Sequence, residues 1–329
     1  MLAGLNEKEA WHLADCMVEA DLRGIGSHGI SRLRTYSARV KAKVINSGEE
    51  PVILSESGAV MTVDAKNGVG PMVGRWVIEQ CIEKAKTQGA FFAAVNNANH
   101  FGIPAYYTEH AAKNDMIGIV VSNSEASVAP TGGAKAMLGT NPLSISVPTG
   151  RGEPFLLDMA TSVVARGKII LADKEGKEIP PDWAVDKNGK PTTSPKEALA
   201  GTLLPFGGPK GYGISLFIDI LCSCLAGALD SRRTYGFWDD FKNPQNIGYF
   251  MGVFDISKFL DIDLFKQRVD FMLEEFKACP PAPGYTEVMI AGEIEYRMRK
   301  KLLEEGINLS ETVDNDLKNL AKEYGEAYV

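Results

Sequence analysis

Between residues 59 and 157 of this 329-residue chain, short apolar strand-like runs alternate with longer stretches of helical periodicity, and both ends read as helix. The strand-like runs fall at 59–63, 91–95, 117–122, 143–147 and 155–157, with one more at 249–253. Helical patterns fill 70–87 and 104–114 between them. Such alternation stacks strands and helices in layers, so the fold class is α/β or α+β. At the start, Asn6 caps a helix over 6–22, and Ser27 stands where a cap would open a second over 27–44. Strongly apolar helix is expected over 212–229, amphipathic helix over 264–278, and charged helix over most of 293–324. The polar stretch 173–195 reads as a surface excursion with a hairpin at Asn188-Gly189. Residues 56–229 then form the strand-bearing unit, and 1–55 with 230–329 form a helical one.

Charge and composition exclude several classes. There are 42 acidic against 35 basic residues, a net charge of −7, which argues against a phosphate-tracking nucleic-acid surface. The most apolar stretch, 214–229, contains Asp219 and is too short to span a bilayer. The opening MLAGLNEKEAWH lacks the basic-then-apolar order of a secretory signal. The five cysteines, an odd number without zinc-ligand spacing, read as free thiols in a reducing compartment, so a cytoplasmic location is expected. No metal cluster is visible, and no metal, nucleic-acid or membrane partner is expected.

Four histidines make each one informative. In a helix over 27–44, His28, Arg32 and Tyr36 share a face at i, i+4, i+8, opposite the apolar stripe. A guanidinium can fork a carboxylate while an imidazole one turn away exchanges a proton with the same small molecule. An ordinary solvated face has the same spacing. The turn Asn96-Asn97-Ala98-Asn99-His100-Phe101-Gly102 follows a strand, where ligands gather in α/β folds; His100 could equally cap the next helix. Three further strand-end loops, 122–124, 139–142 and 158–162, offer short polar side chains suited to ribose and phosphate oxygens, although turn chemistry alone also accounts for them. Lys210 stands among Gly207, Gly208, Gly211 and Gly213 at the mouth of the apolar helix, as an anion site requires, without Walker spacing. Gly68-Val69-Gly70-Pro71-Met72-Val73-Gly74 is GxGxxxG rather than the dinucleotide GxGxxG, and reads as a helix start with close packing. His12 and His110 read as surface or packing residues, and Trp11, Trp76, Trp183 and Trp238 as core or interface.

In order, the segments ADLRGIGSHGISRLRTY, NANHFGIPAYY, LGTNPL, LDMATSVVARGKI, IPPDWAVDKNGKPTTSP and LLPFGGPKGYGISL resemble the type-2 malate/L-lactate dehydrogenases. That family includes relatives acting on sulfolactate, ureidoglycolate, diketogulonate and a cyclic imino acid. The resemblance implies a non-Rossmann cofactor domain on a mainly antiparallel sheet, a helical domain from both chain ends, and a homodimer. It implies His28, oriented by Ser27, as acid/base, with His100 as the other candidate. Arg32 would hold the substrate carboxylate, with Asn141 beside the substrate. Phe101, Gly102, Ser124, Thr140, Asp158, Met159, Ala160 and Lys210 would contact NAD or NADP, NAD being favoured. Where the family often reads PGE near its C-terminus, this chain has Ala291-Gly292-Glu293. The reaction expected is interconversion of a small L-2-hydroxy acid and its 2-keto acid, malate/oxaloacetate first and lactate/pyruvate second. The alternatives are a ureidoglycolate, sulfolactate or cyclic-imine oxidoreductase on the same scaffold, or a nicotinamide-binding protein without activity.

Overall fold

The computed structural model describes residues 4–328. Helix α1 spans Glu7–Leu22, and its start is a capping box. Asn6 accepts the Glu9 N–H at 3.0 Å while Glu9 accepts the Asn6 N–H at 2.8 Å, so two orphan amide groups are satisfied reciprocally.

The second helix departs from expectation. Residues 27–29 are not helical; a 3₁₀ turn, Ile30–Arg32, leads into α2, Leu33–Lys41. Ser27 therefore caps nothing, and Asp21 at the end of α1 accepts the Ile30 N–H at 2.7 Å. Gly26 and Gly29 bracket the non-helical Ser27-His28, and each glycine disfavours helix by about 1 kcal/mol.

Seven strands form one sheet: β1 (Val52–Ser57), β2 (Val60–Asp64), β3 (Ala90–Ala98), β4 (Met116–Ser122), β5 (Leu143–Val147), β6 (Phe155–Met159) and β9 (Ile247–Asp255), in the order β1-β2-β3-β9-β4-β5-β6. All neighbours pair antiparallel except β2 and β3. That parallel pair is joined by α3 (Gly70–Gln88), as a parallel connection requires. The sheet is mainly antiparallel and not of Rossmann type, as the resemblance implies. Its middle strand, β9, comes from beyond residue 229.

Helix α3 packs against β3 and β9, and α4 (Ala105–Ala112) against β4 and β5. Phe91, Ala93 and Val95 of β3 share one core with Tyr249, Met251 and Val253 of β9 and with Val73, Val77, Ile78 and Cys81 of α3. The alternation along β3 and β9 is the period-2 pattern of the sequence. Strand β1 carries no such signal, because it is an edge strand exposed along most of its length.

The stretch 173–195 is more structured than a surface excursion. It begins in α5 (Arg166–Glu175) and continues through β7 (Ala184–Val185), which pairs with β8 (Thr202–Leu203) after α6 (Pro195–Ala200). Ile169, Ile179, Ala184 and Leu203 fill a second small core there. Asn188-Gly189 does turn the chain: Asp186 and Lys190 are bonded across it at 2.8 Å.

The apolar helix starts earlier than expected, as α7 (Pro209–Asp219), and ends in a π-helical turn, Ile220–Leu225. Only part of it is buried, since Phe217 and Leu225 are 59% and 58% exposed. Helices α8 (Ile262–Lys277), α9 (Glu293–Glu305) and α10 (Glu311–Tyr324) complete the chain. Buried Arg23, just after α1, forks Glu109 of α4 at 2.9 and 2.8 Å, and Tyr296 of α9 donates to the same carboxylate at 2.7 Å. Arg299 of α9 pairs with Glu19 of α1 at 2.8 Å. The two ends of the chain are joined through these contacts.

Candidate active site

Strand register gathers the polar loops along one edge of the sheet. Asp64 pairs with Asn96, Ala98 with Ile247, Ser122 with Tyr249, and Leu143 with both Val121 and Met159. The ends of β2, β3, β4 and β6 and the starts of β5 and β9 therefore lie on the same side. His100, Ser124, Thr140, Asn141 and Ala160 all fall just outside it. At roughly 4.8 Å per strand, β3 and β6 are about 19 Å apart, so the edge accommodates an elongated ligand.

At the β3 end, the rings of His28 and His100 lie nearly parallel, 20° apart, with centroids 5.5 Å apart. The backbone of His100 is held on both sides. Its N–H donates to Gln245 Oε1 at 2.8 Å. A Cβ on Gly70, the first residue of α3, would stand 2.1 Å from its carbonyl oxygen, so the helix start is glycine because the loop passes so close. Asp158, not His100, caps α4, accepting the Ala105 N–H at 3.0 Å.

Tyr36, buried in α2, places its hydroxyl 2.6 Å from His100 Nδ1 and 3.2 Å from the His100 carbonyl oxygen. Tyr36 can accept from Nδ1–H, because its own proton has that carbonyl to go to. In this tautomer Nε2 keeps its lone pair, the form a general base needs. Ser27 Oγ lies 3.0 Å from His28 Nδ1. Burial and the Arg32 charge push the His28 pKa down to about 4. Burial, followed by the charges of His28, Arg32 and Arg39, holds His100 well below the usual imidazole range. Both rings are neutral at pH 7.

Arg32 leaves the 3₁₀ turn with its Nε bonded to the Ser27 carbonyl and its guanidinium 3.7 Å over the indole of Trp238. Among the described residues no carboxylate pairs with it. Burial lowers its pKa to about 10, which leaves it charged at neutral pH and without an anion. Phe237 stacks on His100 at 4.6 Å.

The loop bearing Phe237 and Trp238 is pinned by Arg39. This wholly buried α2 side chain donates to the carbonyls of Gly236, Phe237, Asp240 and Asn243. Sequence reasoning missed Phe237, Trp238, Gln245 and Arg39, since a loop aromatic has no periodicity to mark it. It noted Tyr36 without assigning a role.

Further along the edge, the polar loops are bonded to each other. Ser124 Oγ accepts the Thr140 N–H at 3.1 Å. Asn141 is fully buried; its Oδ1 accepts from Ser124 N at 3.2 Å and its Nδ2 donates to the Ser215 carbonyl of α7 at 3.1 Å. Thr161 Oγ1 bonds Ser215 Oγ at 2.9 Å, and Phe206 N donates to the Thr161 carbonyl at 3.0 Å. These bonds bring the start of α7 to the edge. Gly207 and Gly208 both have positive φ there, with open space where a Cβ would stand, and Lys210 is exposed in the first turn. Free amide groups, a helix dipole and a lysine suit a pyrophosphate, so this chain's residues fit a nicotinamide dinucleotide.

The other expected contacts are placed as follows. The Phe101 ring is core, stacked between Tyr107 and Tyr249 at 5.0 and 4.2 Å. Gly102 N–H donates to His100 Nδ1 at 3.3 Å when that nitrogen is unprotonated; with the proton on Nδ1, the shorter 2.6 Å bond to Tyr36 takes its place. Met159 and Ala160 are half-buried at the end of β6. Burial raises the Asp158 pKa to about 7.

An unpaired guanidinium whose charge acts on two neutral imidazoles suits carboxylate binding and proton exchange on a small acid, beside an edge that fits a nicotinamide dinucleotide. The class so defined is the NAD(P)-dependent 2-hydroxyacid dehydrogenases that dispense with the Rossmann fold. The profile of the family described as malate/L-lactate dehydrogenase matches residues 1–318, and the chain belongs to that family. It is 42% identical over 98% of its length, and 92% of the relative's, to the L-sulfolactate dehydrogenase of Methanocaldococcus jannaschii. The solved structure of sulfolactate dehydrogenase from that organism superposes with a TM-score of 0.93 at 41% identity, covering 98% of this chain and 93% of the other. The malate dehydrogenase of Pyrococcus horikoshii is 37% identical over 98% of this chain and 91% of its own. The NAD(+)-named ureidoglycolate dehydrogenase of Escherichia coli is 35% identical over 94% and 88%.

Proposed function

We propose that this dehydrogenase interconverts L-malate and oxaloacetate with NAD as the favoured cofactor. The observation that carries the reading is the unpaired Arg32 guanidinium beside the His28–His100 pair. Arg32 forks the C1 carboxylate of the substrate, which puts the C2 oxygen beside the imidazoles. His100 Nε2 takes the hydroxyl proton as the acid is oxidised, and Tyr36 carries the Nδ1–H on the far side of the ring. His28 and Ser27 flank the same oxygen and hold it in place. A bound nicotinamide supplies the hydride acceptor and donor for C2. Ser124, Thr140, Asp158, Met159, Ala160 and the Lys210 turn line the edge on which it would lie, with Phe101 and Gly102 supporting His100 from behind. Asn141 acts by tying the loops rather than by touching substrate, because both ends of its amide already have protein partners.

Sulfolactate is the second reading, favoured by the 42% identity to a sulfolactate dehydrogenase. Both substrates offer Arg32 the same C1 carboxylate beside C2.

We place the enzyme in the cytoplasm as a homodimer. All five cysteines stand unpaired, which supports a reducing compartment. No helix among the described residues is long and apolar enough to cross a membrane. Phe217 and Leu225 at 59% and 58% exposure, and Phe271 and Phe276 of α8 at 63% and 59%, are apolar surface that a second copy would cover.

The test is absorbance of NADH, then NADPH, on adding oxaloacetate, sulfopyruvate, pyruvate or a cyclic imino acid to the purified protein. Fast oxidation of NADH by oxaloacetate is expected. Turnover with the imine alone would overturn the hydroxy-acid reading, and turnover with sulfopyruvate far above oxaloacetate would replace malate by sulfolactate. The mass in solution tests the dimer.

A further inference from the structure

We infer that Trp238 is a positioning residue for the Arg32 clamp, and through it a determinant of which acids are accepted; the inference rests on Arg32 being the carboxylate clamp.

The geometry leaves the guanidinium one way to act. Its Nε is bonded to the Ser27 carbonyl and its face lies 3.7 Å over the Trp238 indole. Only the Nη1–Nη2 edge is open, which is the edge that forks a carboxylate. The indole also offsets the missing anion, because a cation over an indole face is favourable in a half-buried setting.

Trp238 is otherwise hard to account for. It is 46% exposed, so it fills no core. Its other ring contact is Phe237, edge-on at 5.0 Å and 88°, and Phe237 stacks on His100. The clamp and the proton-exchanging ring are thus set against two consecutive residues of one loop. That loop has no regular secondary structure, and Arg39 holds it rigid by its carbonyls. Clamp and base are thus tied through stacked rings to adjacent positions of one loop, so a change in the hold of Trp238 on Arg32 shifts the clamp relative to the base.

The experiment is steady-state kinetics on Trp238→Leu, Trp238→Phe, Arg32→Ala and the double variant Arg32→Ala/Trp238→Leu. The substrates are the acid turned over best among oxaloacetate, sulfopyruvate and pyruvate, and the same acid esterified at C1. Trp238→Leu is expected to lower kcat/KM for the acid roughly threefold to thirtyfold, mainly through KM, and to leave the ester little changed. Trp238→Phe keeps a ring under the guanidinium and should retain most activity, which separates the effect from misfolding. In the Arg32→Ala background, Trp238→Leu should add nothing. Equal losses on acid and ester, or additive losses in the double variant, would overturn the positioning role while leaving the clamp intact. If Arg32→Ala itself left the preference for acid over ester unchanged, the clamp reading would fall and this inference with it.

Discussion

His28 and His100 face each other with rings 20° from parallel and centroids 5.5 Å apart, yet only His100 has its far nitrogen engaged by a buried tyrosine. That asymmetry assigns different roles to two neighbouring imidazoles. His100→Ala is expected to lower kcat roughly 10²- to 10⁴-fold, the range for loss of a general base. His28→Ala should cost less in kcat and more in KM. A reversed order would transfer the proton to His28.

Tyr36→Phe removes the acceptor for Nδ1–H and favours the tautomer with its proton on Nε2. A decrease of about tenfold in kcat for hydroxy-acid oxidation is expected, about 1.4 kcal/mol for one hydrogen bond, together with a stability loss of about 1–3 kcal/mol from the buried His100 groups left unpaired. An unchanged kcat would show that the tautomer is set elsewhere.

The low imidazole pKa values predict how oxidation responds to pH. With His100 held well below the ordinary imidazole range and His28 at about 4, kcat/KM for the hydroxy acid should show no titration at the ordinary imidazole value and should decline as the pH approaches 4, where His28 protonates. A titration centred on 6.5 would contradict the burial-driven shifts.

Asp158 gives a stability test. Its folded pKa, raised by burial to about 7, exceeds that of an unfolded aspartate near 4. Between these values the folded state binds more protons than the unfolded one, so this carboxyl lowers stability as pH rises from about 4 to 7. Asp158→Asn can still accept the Ala105 N–H. By linkage it should raise stability by up to about 4 kcal/mol at pH 8 and leave it nearly unchanged at pH 4. Unfolding curves at the two pH values decide it, and equal effects at both would refute the linkage.

Arg39→Leu should loosen the loop of Phe237 and Trp238 by leaving its carbonyls without a donor. A loss of about 3 kcal/mol is expected, a Tm drop on the order of 5 °C, together with a fall in kcat because Phe237 no longer backs His100. Normal kcat in the folded variant would show that the loop holds itself.

Much of the architecture is legible because local signals agree with packing. Asn6 and Glu9 announce α1, and the 3.6-residue spacing of Val73, Val77 and Cys81 announces α3. Strand β1 is not legible, because an exposed edge needs no alternation. The grouping of His28, Arg32 and Tyr36 is legible for a reason that the structure replaces. The spacing suggests one helix face, whereas Asp21 and a 3₁₀ turn bring the three together without a continuous helix. Trp238 and Gln245 escape the sequence because their partners, Arg32 and His100, lie far away in the chain. Only the closed fold puts an indole under a guanidinium.

The place of β9 has a consequence for how the protein comes into being. Strands β3 and β4 are made early but do not touch; the strand between them is synthesised more than a hundred residues later. Until then the growing chain carries two open strand edges with no partner. Contacts of such long sequence separation close slowly, and unpaired edges invite association with other chains. Emergence of residues 247–255 from the ribosome is therefore the event that completes the sheet, and the interval before it is when the nascent chain has the greatest need of a chaperone.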